Sequence, residues 1–519
     1  MRKDSYGVLL MTAWPHRLLI PLLACAALLT ACDSGETQRE NAAGTGRTAR
    51  SPATRPNILF IVWDTVRADR LSLYGHDRAT TPYLDEFARQ ARIFENCISA
   101  GSTTVPAHAS MFTGLLPTEH GASNEQPLLA DGFVTLAELL RANGYRCYLY
   151  SENPHICARN RFTQGFDLAE HPWSPAYQAE ALRITRRKLA GTLPDSQLQQ
   201  RLKRGRINNW SIKAAGELAQ RGIESWLASQ DPDQPCFIFV NYMEAHRPLI
   251  PPRTYRERMM TPVQLAASYQ LDYGWVALWS YVFGLREKTA GELEVIAALY
   301  DAALLELDDL LHNLLDALRV QGRLDDTVIV LVGDHGEHLG EHHLLDHQFS
   351  VYEPLMKVPL IVHYPPRFAP GRERRPVTNL DLFPTLLKLA GIDAPIESKA
   401  VSLLAPAPDR PRLGECPAAM VGALQQVRRV FPHFDPTPWD RTLRAYYDEP
   451  YKFIEASDGR HELYHLGQDP GERQNLIDTQ PVDEAHRQRL EALGYLESEG
   501  DNENEPGGDD DPAREKDQP

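Results

Sequence analysis

The sequence predicts an α/β fold: a mostly parallel sheet flanked by helices on both faces, with a small antiparallel subdomain near the C-terminal end. Three observations carry this. Short apolar runs alternate with helix-period segments, the pattern of strands buried on both faces between crossover helices. Two of those runs, Asn57 to Trp63 and Val328 to Val332, end in turns bearing carboxylates, Asp64 and Gly333-Asp334-His335. Finally, Tyr451-Lys452-Phe453-Ile454 and Glu462-Leu463-Tyr464-His465-Leu466 flank Ser457-Asp458-Gly459-Arg460, which reads as a hairpin around an Asp-Gly turn.

Arg17 precedes the apolar run Leu18 to Leu29, and Leu29-Thr30-Ala31-Cys32 resembles the bacterial lipobox, whose Cys is lipidated. Residues 1–32 are therefore read as a lipoprotein signal peptide and kept out of the fold. Residues 33–55, rich in Gly, Thr, Ser, Ala and Arg, read as a flexible tether. The first strand is Asn57 to Trp63. Thr81-Pro82 opens a helix to about Ala91, with Pro in the first turn. Thr104 starts a helix to Thr113. Thr135 to Asn143 is a helix closed by Gly144, and Tyr145 to Tyr150 is the next strand. From about 175 to 222 the chain is helical and basic, with Arg183, Arg186, Arg187, Lys188, Arg201, Lys203, Arg204, Arg206 and Lys213. It reads as an insertion that is either a solvated helical face or a contact surface for anionic lipid or polymer. Cys236 to Asn241 is a strand, and Leu293 to Val320 is a long helix with Asp301, Glu306, Asp308 and Asp309 expected on its wet side. Strands at Val328 to Val332 and Val358 to Val362 follow, then a helix from Thr378 to Ala390 closed by Gly391.

The net charge of −16 argues against a nucleic-acid partner. Half of it sits in residues 497–519, where ten acidic residues face two basic ones, the composition of a disordered tail. Cys25 and Cys32 belong to the leader. Cys97, Cys147, Cys157, Cys236 and Cys416 lack zinc-type spacing, and an odd number cannot pair completely. They are read as buried free thiols, with a Cys147 to Cys157 bridge as the alternative.

Three segments in order carry a family resemblance: Asn57-Ile58-Leu59-Phe60-Ile61-Val62-Trp63-Asp64-Thr65, then Thr104-Val105-Pro106-Ala107-His108 through Thr113-Gly114, then Gly333-Asp334-His335-Gly336. Together they resemble the sulfatase family of the alkaline phosphatase superfamily. The later run Glu462-Leu463-Tyr464 with Asp469-Pro470-Gly471-Glu472 and Asn475-Leu476 matches the end of sulfatase chains. The resemblance implies an alkaline-phosphatase-like fold, with a catalytic domain over 56–400 and a C-terminal subdomain over 401–496. It also implies one divalent metal (Ca, Mn, Zn or Mg), held by Asp64, Thr104, Asp334 and His335.

The chain departs from the family at several positions. Thr104 occupies the slot of the Cys or Ser that becomes formylglycine, and His108 replaces the usual Arg. Thr65 stands where a second carboxylate is usual, and Ser151-Glu152-Asn153-Pro154-His155 and Leu344-Leu345-Asp346-His347-Gln348 lack the pocket lysines. Thr104 is then the nucleophile, and His108, His246 and His347 are the candidate pocket imidazoles, suited to protonating a leaving group. The resemblance implies a hydrolase of a sulfate or of a phosphate or phosphonate ester, lipid-anchored at the bacterial cell envelope through Cys32. Its substrate would be an anionic ester of a glycan, lipid or small molecule. Two alternatives stay open: transfer of a phosphoryl-alcohol head group to envelope glycan or lipid, and a catalytically inactive sulfatase-fold binding lipoprotein.

Overall fold

A computed structural model of the chain describes residues 55–190, 214–272, 274–393, 400–406, 411–417 and 421–477. The leader, nearly all of the tether, residues 191–213 of the basic insertion and the acidic tail lie outside the described residues. Among the described residues the main sheet has eight strands. They are β1 (Asn57–Trp63), β2 (Arg92–Phe94), β3 (Arg146–Ser151), β4 (Leu168–Glu170), β5 (Cys236–Tyr242), β6 (Thr327–Gly333), β7 (Leu360–His363) and β8 (Gly371–Glu373). Their spatial order is β8-β2-β7-β6-β1-β5-β3-β4. Strand β7 alone runs antiparallel to both neighbours, and every other pairing is parallel. The short strands β2, β4 and β8, at or next to the sheet edges, span three residues each, too few for a period to show in sequence.

Successive side chains of β1 serve opposite faces. Leu59, Ile61 and Trp63 join one core, with the helices α4 (Gln178–Ala190), α5 (Glu217–Ala228) and α7 (Ala290–Val320). Ile58, Phe60 and Val62 join the other, with α2 (Thr104–Thr113), α3 (Leu136–Ala142) and α8 (Leu382–Leu389). Two covered faces explain why β1 and β6 are apolar almost throughout. Each fully buried Ile, Leu or Phe contributes roughly 1.5–3 kcal/mol. The remaining labelled helices are α1 (Pro82–Phe87) and α6 (Trp275–Val282).

The C-terminal hairpin lies within a four-stranded antiparallel sheet, β9 (Arg412–Cys416), β10 (Leu443–Asp448), β11 (Tyr451–Ala456) and β12 (Glu462–His465). Its edge β9 is tied to the approach to α2: Glu415 N donates to Ala100 O at 2.9 Å, and Ser102 N to Glu415 O at 3.0 Å. All five described cysteines are free thiols. Cys147 is buried with its Sγ against Ala137 O, so the Cys147 to Cys157 bridge is not formed.

The expected wet side of α7 is a correction. The helix starts earlier than its apolar pattern indicated, with Thr289 and Glu292 forming a capping box. Asp301, Glu306 and Asp308 are buried. Asp301 receives Arg70 at 2.6 Å and Arg78 at 3.1 Å. Asp308 caps α1 by accepting from Tyr83 N at 2.7 Å and Leu84 N at 2.8 Å. Glu306 lies 2.5 Å from Lys188. Helical period fixed which residues share a face, while partners more than 100 residues away in sequence decided that this face is dry.

Asp301→Asn should destabilise the fold by about 2 kcal/mol, because it leaves Arg70 and Arg78 facing a neutral amide; both cations keep some solvent, which holds the cost below that of a fully buried pair. Denaturant unfolding monitored by circular dichroism measures this directly.

Candidate active site

The register of β1 brings the two strand-end acids together. Trp63 pairs with Gly333 of β6, so Asp64 and Asp334 emerge level with one another, one residue beyond the ladder. Loops at the carboxyl ends of parallel strands are where α/β sheets assemble sites. On the other flank, Trp63 pairs with Tyr242 and Val62 with Asn241 of β5, and Asn241 pairs with Ser151 of β3. Asn241 and Asn153 therefore reach the same pocket from the next two strands.

Thr104 opens α2, a helix buried along its whole length. Gly114 ends it at φ 72, donating N–H to Ser110 O at 2.8 Å. A Cβ at that glycine would lie 2.7 Å from the Phe383 ring, so both conformation and space require glycine. Thr104 Oγ1 lies 3.2 Å from His335 Nε2 and accepts from Asn153 Nδ2 at 3.4 Å. The same amide donates to Asp64 Oδ2 at 2.7 Å, and Asn241 Nδ2 reaches that oxygen at 3.2 Å. Asp334 Oδ1 accepts from Thr65 N at 3.0 Å and His335 N at 2.8 Å. His335 Nδ1 lies 2.9 Å from Gly336 O, so it carries the proton and turns the Nε2 lone pair to Thr104.

Asp64, Asp334 and His335 each offer one atom, and these atoms lie within 4.8 Å of one another. Asp64 Oδ1 and Asp334 Oδ2 are buried without a hydrogen-bond donor. Burial and the neighbouring Asp334 push Asp64 up to about 6, and burial pushes Asp334 up to about 7. Burial holds His335 down at about 3 and therefore neutral. Two orphaned carboxylate oxygens beside a neutral imidazole form a hard, mixed O/N donor set that fits a divalent cation.

Thr65 is not a ligand. It takes φ 61, rare for a β-branched residue. Its hydroxyl donates to Asp64 O at 2.6 Å, and Tyr300 Oη donates to its carbonyl at 2.6 Å. The strained backbone aims its N–H at Asp334, which orients one ligand by way of another's neighbour.

The three candidate pocket imidazoles separate. His108 corrects an expectation: it is fully buried behind Thr104. Its Nδ1 donates to Thr104 O at 3.0 Å, and its Nε2 faces the Asn241 amide at 3.5 Å. Burial lowers it to about 3, so the 3.5 Å approach to Asp334 Oδ2 is not an ion pair. It supports the first turn of α2 and offers no nitrogen to a substrate. His347 and His246 face one another, ring centroids 4.9 Å apart, and His347 lies 4.7 Å from His335. His347 Nδ1 sits 2.9 Å from both Glu337 Oε2 and Asp346 Oδ1. Burial opposes its charge, but those two carboxylates outweigh burial and raise it to about 10. Asp346 in turn receives Arg247 Nε at 2.6 Å and Trp279 Nε1 at 3.0 Å. His246 Nδ1 lies 2.7 Å from Arg247 O, so it donates there.

Asn153, Asn241, Glu337 and Asp346 are the functional candidates that the sequence alone did not yield. Asn153 follows β3 and Asn241 is the penultimate residue of β5, both at the carboxyl ends of buried strands, a signal available in principle. Glu337 and Asp346 become visible only once the turn from 338 to 346 folds back, where His338 pairs with Asp346.

The family model described as Sulfatase matches residues 56–392. Among curated proteins, the N-acetylglucosamine-6-O-sulfatase of Bacteroides thetaiotaomicron is 23% identical, across 91% of this chain and 89% of the relative. The multifunctional alkaline phosphatase superfamily protein PehA of Trinickia caryophylli is 26% identical, across 68% and 77%. Among solved structures, the phosphonate monoester hydrolase of Agrobacterium radiobacter superposes with a TM-score of 0.65 at 22% identity, across 85% of this chain and 95% of that one.

Protons compete with a cation for Asp64 and Asp334, whose raised values of about 6 and about 7 leave both largely protonated at pH 5.5 and ionised at pH 7.5. Affinity for Mn2+ should therefore rise about tenfold or more between those pH values, as measured by calorimetric titration of chelator-treated protein.

Proposed function

The chain belongs to the sulfatase family of ester hydrolases, and we propose that it cleaves its ester by direct attack of the Thr104 hydroxyl, with a phosphate or phosphonate ester preferred over a sulfate ester. The observation that carries this reading is the position of Thr104 Oγ1, at the start of α2 and 3.2 Å from the neutral His335 Nε2. A divalent cation held by Asp64, Asp334, His335 and Thr104 would supply Lewis-acid charge that lowers the hydroxyl's pKa and neutralises the ester oxygens. The chain's own residues do the rest. Asn153 bridges Asp64 and Thr104 through one amide nitrogen, which fixes the nucleophile against the carboxylate. The imidazolium of His347 restores a fixed positive charge to a pocket that lacks the family's lysines, and it orients the anionic group. His246, beside His347, delivers a proton to the departing alkoxide.

In the first step the Thr104 hydroxyl gives up its proton to solvent as its oxygen bonds to phosphorus, the ester C–O–P bridge breaks on the phosphorus side, and the alkoxide takes the proton from His246 and leaves as an alcohol; His246 then recovers a proton from solvent. In the second, water attacks the same phosphorus, releases phosphate or phosphonate and regenerates the hydroxyl. A formylglycine hemiacetal can expel sulfate by elimination. A threonine ester has no second hydroxyl on that carbon and must be hydrolysed directly, which favours phosphorus over sulfur. The intact donor set speaks against the inactive-fold alternative, because a site released from catalysis has no reason to keep two orphaned buried carboxylates. The lipobox-like Leu29-Thr30-Ala31-Cys32 supports a lipid-anchored placement at the bacterial envelope. Among the described residues no helix is long and apolar enough to cross a membrane.

Aryl and alkyl phosphates, phosphonates and sulfates should separate in turnover in that order of chemistry, and Thr104→Ala should lower kcat on the order of 10^3-fold or more. Turnover equal to wild type would remove Thr104 as nucleophile. His246→Ala should cost about 10^2-fold in kcat/KM for alkyl esters and little for nitrophenyl esters, whose leaving groups need no proton; a uniform loss across leaving groups would exclude the acid role.

A further inference from the structure

Behind the pocket lies a second buried charge cluster that the reaction itself does not use. Glu152, Glu244, Glu306 and Lys188 are all buried. Lys188 Nζ lies 2.5 Å from Glu306 Oε1 and 3.4 Å from Glu244 Oε1. Glu152 accepts from Ala215 N and from Met243 N, each at 2.8 Å. Glu244 Oε1 also accepts from Gly216 N at 3.1 Å. One ammonium thus stands among three carboxylates inside the protein, where an uncompensated charge is costly.

The address of each carboxylate gives the cluster its meaning. Glu152 directly precedes Asn153, whose amide holds both Asp64 and Thr104. Glu244 sits two residues before His246, in a turn closed by His246 N donating to Met243 O at 3.1 Å. Lys188 lies near the C-terminal end of α4, and Ala215 and Gly216 lead into α5. On either side of residues 191–213, the basic insertion therefore contacts the carboxylates that flank Asn153 and His246, through Lys188 and through the Ala215 and Gly216 N–H groups. Neighbours of Lys188 on the same helix, Arg186 and Arg187, are exposed, as a solvated helix would have them. Among the described basic residues of this helix, Lys188 alone is buried.

We infer that Lys188 is a positioning residue for the active site, acting through Glu244 on the His246 loop and through the shared Glu152 and Glu244 cluster on Asn153. This rests on Asp64, Thr104 and His246 being the working site. A residue that fixes the partner of a metal ligand affects cation affinity as well as rate, and that gives a readout independent of turnover.

The test is Lys188→Met in the full chain, which keeps the apolar stem and removes the charge. At a matched folded fraction by circular dichroism, kcat should fall about tenfold with KM little changed, and Mn2+ affinity by calorimetry should fall about tenfold. Lowered melting temperature with kcat and Mn2+ affinity as in wild type would overturn the inference and leave Lys188 a packing residue. Should Lys188→Met not fold, Glu306→Gln removes the charge from the shortest contact with little change in volume; a severalfold loss in both readouts supports the inference, and wild-type values overturn it. If none of the esters is a substrate, the assigned reaction is at fault, and the Mn2+ titration still decides the role of Lys188.

Discussion

Two carboxylates held dry at the ends of adjacent parallel strands set the terms for the rest of this structure. Asp64 and Asp334 stand level because β1 and β6 pair in register up to Trp63 and Gly333, and both are fully buried. Unpaired buried charge is among the least favourable arrangements in a protein. Nearly every polar group around the pair lowers that cost. The Asn153 and Asn241 amides cover one oxygen of Asp64, and the Thr65 and His335 backbone N–H groups cover one oxygen of Asp334. One oxygen of each is buried without a hydrogen-bond donor. Protein donors satisfy half of the pair, and the unsatisfied half defines where a cation belongs.

The changes that separate this chain from the usual family pattern work as a set. With the family's lysine positions changed, His347 is the positive group beside His335 among the described residues, and an imidazole is a weak cation unless carboxylates hold its proton. Glu337 and Asp346 do that from both sides of one nitrogen. Asp346 is itself held by Arg247 and Trp279, so the charge on His347 draws on the loop after β5 and on α6. The backbone that presents it is strained: His342, His343, Asp346 and Phe349 all take positive φ. Clustered strain of this kind persists where surrounding packing over-determines the conformation, and it collects at functional sites. Thr65, at φ 61, belongs to the same pattern on the other side of the pocket.

The C-terminal sheet and the basic insertion both meet the segments around the site from outside the pocket, the sheet through backbone hydrogen bonds and the insertion through Lys188 and the Ala215 and Gly216 N–H groups. Strand β9 hydrogen-bonds the segment from Ala100 to Ser102 that delivers Thr104. Gly336 approaches Pro354 O so closely that a Cβ would lie 1.9 Å from it, which locks the turn after His335 against the 350s. The pocket is thereby fixed from the rear by several elements whose own sequences carry no sign of catalysis.

By itself the sequence determined the five longer strands of the main sheet, the position of Asp64, Asp334 and His335 at strand ends and of Thr104 at a helix start, and the family, because these depend on local pattern: an apolar run, a turn, a carboxylate at its end. It also marked Thr65 and the missing lysines as departures. Only the tertiary structure decided what replaces them. His108, read as a pocket imidazole, is buried support, while His347 is a charged one; Asp346 beside it in sequence is only half of the reason, and Glu337 reaches the same nitrogen only after the intervening turn folds back. The acids of α7 likewise looked solvated because helical period reports which residues share a face and is silent about what covers it. Charge state and burial depend on partners such as Lys188 for Glu306 and Arg70 for Asp301. Those partners meet only after the sheet has brought distant segments together, so their effect on each group's protonation and burial appears at the level of packing and not in the linear order of residues.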